Sequence, residues 1–209
     1  MDSRLLISLV VDNSAAVQGE KFEKIKSSLN DFCNALNESE AKNIELEIIC
    51  FDEFQPKVLK NFSRKEFNIN GLEPIKMPFL GKALDIALTG LQARADFFSL
   101  NDTQVYKPWL FVLTNAYSFD DVDVVARDLK QAISEQKVLY MPFILSQRKI
   151  PDNVEDLALT KKFMRIKENS FDMFFKWFYD MAVKRATTPN GVPVKFERAG
   201  FEGWAILWY

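Results

Sequence analysis

The chain contains no histidine. That single absence removes imidazole general bases, Ser-His-Asp and Cys-His nucleophile activation, and histidine-ligated zinc. Cysteine is limited to Cys33 and Cys50. They fall on a predicted helix and a predicted strand and read as reduced, buried thiols of a cytosolic protein, with nothing to support a disulfide between them. There is no basic excess: 27 Lys+Arg stand against 29 Asp+Glu, a net charge of −2, so neutralisation of a nucleic-acid backbone is not expected. No run approaches the roughly 18 apolar residues a membrane helix needs. Asp2 beside Arg4, and Asp12 interrupting the first apolar run, argue against a signal peptide. Glycine is scarce at 7 residues, whereas phenylalanine reaches 19, a balance that favours packed elements over loops.

What is present begins with Arg4 to Val11, an apolar run bounded by turn residues, which reads as a strand buried on both faces. Asp12 then stands at the strand's carboxyl end, where ligands bind in open parallel sheets. From Gln18 to Asn37, Phe22, Ile25, Leu29, Phe32 and Leu36 recur at spacings of three and four and predict a helix. Ile44 to Phe51 predicts a second strand, completing a right-handed βαβ unit. Val58 to Phe62 and Glu66 to Ile69 read as short edge strands, and Pro74 and Pro78 punctuate the connection to the next helix. That helix is expected over Leu80 to Phe98, with a strand over Trp109 to Thr114 and a helix over Ser118 to Gln136. The start of the Ser118 helix carries Asp120, Asp121 and Asp123, which suit the positive end of its dipole. Val138 to Leu145 and Lys162 to Ile166 read as strands, Pro151 as the start of a short helix, and Ser170 to Arg185 as the last helix. Its Phe171, Phe174, Phe175, Trp177 and Phe178 form one core-facing stripe.

Strands alternating with helices predict one α/β domain over residues 1–186: a doubly wound, mostly parallel six-stranded sheet with helices on both faces. Residues 187–209 form an extension that ends in an apolar run with Trp204, Trp208 and Tyr209. It is expected to dock on the same domain as an added strand, or else to present an interface.

Three patches then align with one family: Asp12-Asn13-Ser14-Ala15-Ala16 after the first strand, Phe79-Leu80-Gly81-Lys82-Ala83-Leu84 at a helix start, and Lys107 to Ala116 through the Trp109 strand. Together they resemble a von Willebrand factor A domain, closest to the bacterial TerY-like branch associated with tellurium resistance. In that family a first-strand D-x-S-x-S, a threonine before the second helix and the aspartate of a T-D-G hold a divalent metal, whose shell a ligand carboxylate completes. Carried onto this chain, Asp12 and Ser14 match, while the second serine is Ala16, the threonine position falls on Pro78, the aspartate is Asn115 and the glycine is Ala116. The resemblance therefore implies a degenerate metal-ion-dependent adhesion site of Asp12, Ser14 and Asn115. Its first shell is thin for magnesium, which favours octahedral oxygen coordination. Binding of magnesium or calcium is expected to be weak or lost, and no resident cofactor is expected. Asp52 and Glu53, after the second strand, are further oxygen donors in reach of compensating. On ligand count, Asp12 and Ser14 read more readily as caps of the following turn than as metal ligands.

The expected function is a cytoplasmic, non-enzymatic protein-interaction or scaffold module. By family analogy its partners belong to bacterial stress or phosphorylation-linked signalling. Phe79, Tyr117 and Phe119 at the rim, with Trp204 and Trp208 in the tail, are the candidate partner contacts. Two alternatives remain. One is a magnesium-dependent phosphohydrolase using Asp12 with Thr114, which lacks a general acid. The other is a structural subunit that assembles through its aromatic tail.

Overall fold

The first strand sets the architecture. β1 (Leu5–Val11) is buried at every position, and a strand with no wet face must lie in the middle of a sheet covered on both sides. The computed structural model describes residues 3–51, 55–63, 72–74, 77–146, 157, 163–167, 170–195, 201 and 203–208. Its other strands are β2 (Ile44–Phe51), β3 (Pro56–Ser63), β4 (Trp109–Thr114), β5 (Leu139–Ile144), β6 (Phe163–Ile166) and β7 (Ala205–Trp208), and its helices are α1 (Glu20–Glu38), α2 (Leu80–Leu100), α3 (Asp123–Ser134) and α4 (Phe171–Thr187). The strand order is β3-β2-β1-β4-β5-β6-β7 in one seven-stranded sheet. β2, β1, β4, β5 and β6 run parallel, while β3 and β7 close the two edges antiparallel.

The sheet is doubly wound and mostly parallel, and its strand count is seven where the sequence predicts six. The added strand is β7, whose Ala205 to Trp208 pair against Ile166 to Phe163. The segment around Val58–Phe62 pairs with β2; its suggested companion, residues 66–69, lies outside the described residues, as does the helix expected from Pro151. Among the described residues no helix is long and apolar enough to cross a membrane.

Alternation divides the core in two. Leu5, Ile7, Leu9 and Val11 face one layer with α1 and α4, and Leu6 and Val10 face the other with α2 and α3. The first layer is aromatic. Phe178 of α4 stacks on Phe111 of β4 at 4.3 Å and on Phe32 of α1 at 4.8 Å. The α4 stripe is buried throughout, from Phe171 to Phe178. Cys33 and Cys50 are reduced thiols in this layer, and burial pushes the Cys33 thiol up to about 12.

The α2 layer holds a buried polar seam. Glu45 of β2 receives a bidentate ion pair from Arg94 of α2, at 2.7 and 3.0 Å, and Arg94 lies 4.6 Å over the Phe98 ring. One pleat on, Glu47 is 3% exposed and accepts a 2.6 Å hydrogen bond from the Ser8 hydroxyl. Gly90 of α2 makes room for it, since a Cβ there would stand 3.1 Å from Glu47 Oε1. The helix accepts a glycine, at a cost of about 1 kcal/mol relative to alanine, where the strand needs space for a carboxyl.

Burial pushes the Glu47 carboxyl up to about 7, against the pull of the Ser8 hydrogen bond. The unfolded chain releases this proton near the ordinary glutamate range, so the stabilisation is complete below that range and is lost as pH rises toward 7. Glu47→Gln, which keeps the bond to Ser8, is expected to be near neutral at pH 5 and to stabilise by about 1–3 kcal/mol at pH 8. Urea unfolding of both proteins across that range measures it. A difference that stays flat with pH would assign the titration to another group.

Candidate functional site

The order of strands reverses at β1: the chain leaves it for β2 on one side and returns as β4 on the other. The crevice at such a switch point lies between the carboxyl ends of the two strands, and here it holds Asp12 and Thr114-Asn115. The Asp12 amide donates to the Leu113 carbonyl at 2.8 Å, so the two strand ends are zipped to their last residue.

The Asp12 side chain has no exposed surface, and its oxygens are engaged internally. Oδ1 accepts the Ser14 amide at 2.9 Å. Oδ2 accepts the Asn115 amide at 2.8 Å and the Asn115 side-chain Nδ2 at 3.3 Å, with the Thr114 hydroxyl at 3.4 Å. Asp12, Ser14 and Asn115, expected as a metal set, are thus together, with nitrogen donors of Asn115 turned toward the carboxylate. Ala15 and Ala16 follow in a single 3-10 turn and are exposed. Ala116 is buried in the left-handed region at φ 60, where the sequence resemblance places a glycine. An alanine there costs about 1–2 kcal/mol of backbone strain. Among the described residues no group of three or more Cys, Asp or Glu side chains is placed to hold a metal ion. Asp52 and Glu53 lie outside the described residues.

Two features escape the sequence reading. Asn13 is 1% exposed; its Oδ1 accepts the Phe51 amide at 2.8 Å, and its Nδ2 donates to the Phe51 carbonyl at 2.9 Å and the Glu73 carbonyl at 2.6 Å. It therefore fastens the ends of β1 and β2 to the segment leading toward α2. The other feature is the start of α2, which has no side-chain cap of its own and takes one from the loop after β4. Ser118 Oγ accepts the Leu80 amide at 3.0 Å, and Asp120 accepts the Gly81 and Lys82 amides at 3.1 and 2.7 Å. Ser118 in turn donates to Asp120. A carboxylate on the free amides of a helix start is the favourable arrangement. Gly81 permits the approach, since a Cβ there would stand 2.5 Å from the Asp121 carbonyl oxygen.

This corrects the role expected for the acidic run. Helix α3 begins at Asp123, later than the predicted Ser118, because Ser118 and Asp120 serve α2 instead. Only Asp121 and Asp123 attend α3, Asp121 Oδ1 accepting the Asp123 amide at 2.8 Å. The signal in the sequence was the Ser-x-Asp spacing itself, whose target lies 38 residues earlier.

The rim residues are brought together. Tyr117 and Phe119 are 46% and 53% exposed and meet edge to face at 5.1 Å. The Phe119 amide donates to the Pro78 carbonyl at 2.9 Å, so Phe79 lies on the neighbouring segment, with the Lys82 ammonium 5.1 Å over its ring. Trp204 does not belong with them. It is 2% exposed and packs against Trp177 at 5.1 Å, Phe174 at 5.2 Å and Phe143 at 5.9 Å, so it is a core residue and not a partner contact. Trp208 pairs through its backbone with Phe163; its side chain lies outside the described part of the structure.

No protein-family model and no curated protein matches the sequence. Solved structures do match in fold. The VWA domain of Rpn10 superposes with a TM-score of 0.53 at 15% identity, over 74% of this chain and 82% of that one. Manganese-loaded Plasmodium vivax TRAP protein gives 0.53 at 18% identity, over 75% and 63%. Proximal thread matrix protein 1 from the mussel byssus gives 0.56 at 13% identity, over 88% of this chain and 46% of that one, so the chain spans about half the length of the byssus protein. The fold is that of von Willebrand factor A domains, and at these identities the likeness is one of fold.

Two substitutions and one control test the internal bonding. Asp12→Ala leaves the Ser14 and Asn115 amides without their acceptor and is expected to cost about 2–4 kcal/mol in urea unfolding. Asp120→Ala, which uncaps α2, is expected to cost about 1–2 kcal/mol. Asp121→Asn, which keeps an oxygen acceptor for the Asp123 amide, is expected to stay within about 0.5 kcal/mol.

Proposed function

We propose that this chain is a non-enzymatic protein-interaction module of von Willebrand A type, with a crevice held by internal hydrogen bonds in place of a divalent cation. The observation that carries the reading is the Asp12 carboxylate, buried and already accepting the Ser14 and Asn115 amides. A magnesium or calcium ion needs oxygen atoms converging on it. Here N–H groups face the Asp12 carboxylate, and Ala16 and Pro78 offer no side-chain oxygen. Among the described residues the donor set is a poor fit to a divalent ion.

Recognition then rests on the rim, where Tyr117, Phe119 and Phe79 stand on segments pinned to each other through Pro78, Ser118 and Asp120. Exposed aromatics on a rigid support are the usual anchors of protein interfaces. By the TerY-like resemblance, the partners belong to bacterial stress-response or phosphorylation-linked signalling in the cytoplasm. The phosphohydrolase alternative needs an aspartate in reach of a phosphoester, and Asp12 has no exposed surface. Assembly through the tail would have to proceed without Trp204, which is in the core.

Calorimetric titration with magnesium and manganese to millimolar concentration is expected to give no binding heat. Micromolar binding that disappears in Asp12→Ala would overturn the metal-free reading. In-cell photo-cross-linking with the intact chain tests the module itself. A discrete set of cross-linked proteins, insensitive to chelator and lost in Tyr117→Ala/Phe119→Ala, is expected. A pattern unchanged by that double substitution would count against the rim.

A further inference from the structure

We infer that the rim receives a basic, arginine-bearing apolar segment of a partner protein, the opposite charge to the acidic group that the metal-dependent arrangement captures. The inference rests on the interaction-module reading and supplies the chemistry of the partner.

The first ground is the exposed aromatic pair. Tyr117 and Phe119 are about half exposed and hold each other edge to face. Both are on a short loop whose other members are committed: Ala116 is buried, Ser118 and Asp120 cap α2, and the Phe119 amide is bonded to Pro78. The rings are therefore presented and not folded inward, and an aromatic face on a fixed loop is a platform for a planar cation. This chain uses that contact elsewhere, with the Arg94 guanidinium 4.9 Å over Phe97 and the Arg185 guanidinium 4.5 Å over Tyr106. The rim rings Tyr117 and Phe119 have no cation over them among the described residues.

The second ground is charge. Asp120 follows Phe119 and is half-buried, and Asp121 and Asp123, two and four positions on, are exposed. Asp12 lies below without a cationic partner among its hydrogen bonds. No ion pair joins Asp120, Asp121 or Asp123 to a lysine or arginine among the described residues. Of the nearby cations, Lys82 is turned onto Phe79, and Lys21 donates to the Leu145 carbonyl. The positive end of α2, which would attract a partner's carboxylate, is already occupied by Asp120. An acidic segment meets like charge and a filled anion slot; an arginine meets exposed aromatic rings flanked by carboxylates that no lysine or arginine of the described residues neutralises.

The test uses the intact chain and three labelled ten-residue peptides, read by fluorescence anisotropy at physiological salt. One alternates arginine and leucine, one glutamate and leucine, and one arginine and serine. The arginine–leucine peptide is expected to bind about tenfold tighter than either of the others. Asp121→Asn, which removes the charge and keeps an oxygen for the Asp123 amide, is expected to weaken it about threefold, and Tyr117→Ala/Phe119→Ala to abolish it, both with unchanged melting temperature. Equal or tighter binding of the glutamate peptide overturns the inference. If that binding is also lost in Tyr117→Ala/Phe119→Ala, the interaction-module reading stands and only the partner's charge is wrong. Equal binding of the arginine–serine peptide reduces the effect to bulk charge and overturns it too. So does binding of none of the three, in which case the cross-linking result alone decides the module.

Discussion

A strand buried on both faces cannot end in water, and most of this structure derives from that constraint on β1. The polar residues that terminate it, Asp12, Asn13 and Ser14, are all buried, so every hydrogen bond they need must come from the protein. Asp12 takes its partners from the end of β4, and Asn13 takes its own from the end of β2 and from Glu73. The three central strands are thereby locked at their carboxyl ends, and the segment leading toward α2 is fixed in the same network. The loop after β4 then completes the start of α2. The rim aromatics stand where they do because their neighbours are consumed in this chain of satisfied groups.

The fold was legible because its central strands β1 and β4 are nearly pure apolar runs. β2 and β4 begin and end where the sequence places them, and α1, α2 and α4 start or stop within two residues of the expected bounds. Strand ends chosen by turn residues and helix faces spaced by three and four are local signals, and local reading recovers them. Its failures were all long-range. Asp120 sits beside the start of one helix and serves another 38 residues away. Glu45 and Glu47 give β2 an alternation, yet both are buried because Arg94, Ser8 and Gly90 meet them from distant elements. Trp204 looked like a surface anchor beside a chain end and proved to be part of the aromatic core.

The site was legible in its members and not in their state. The sequence places Asp12, Ser14 and Asn115 at one crevice and Tyr117, Phe119 and Phe79 at its rim, and the structure brings each set together. What the sequence does not show is the direction of the hydrogen bonds. Against the family pattern an asparagine at 115 reads as a lost ligand; in the folded chain its backbone amide and its Nδ2 both donate to Asp12 Oδ2. The main-chain bond at 2.8 Å is open to any residue, and the longer side-chain bond at 3.3 Å is what the asparagine adds. Carboxylates neutralised by fixed dipoles are stable in a low-dielectric site when the dipoles are already oriented.

The place of Trp204 in the aromatic layer bears on how the chain is made. Phe143, Phe174 and Trp177 are all synthesised before it, and they pack against an indole that arrives some thirty positions after α4 begins. Until residue 204 has left the ribosome, one side of that cluster is open. The nascent chain thus carries a sticky aromatic face from the synthesis of α4 until residue 204 emerges, a window in which chaperones hold partly folded chains and in which neighbouring copies on one message can associate.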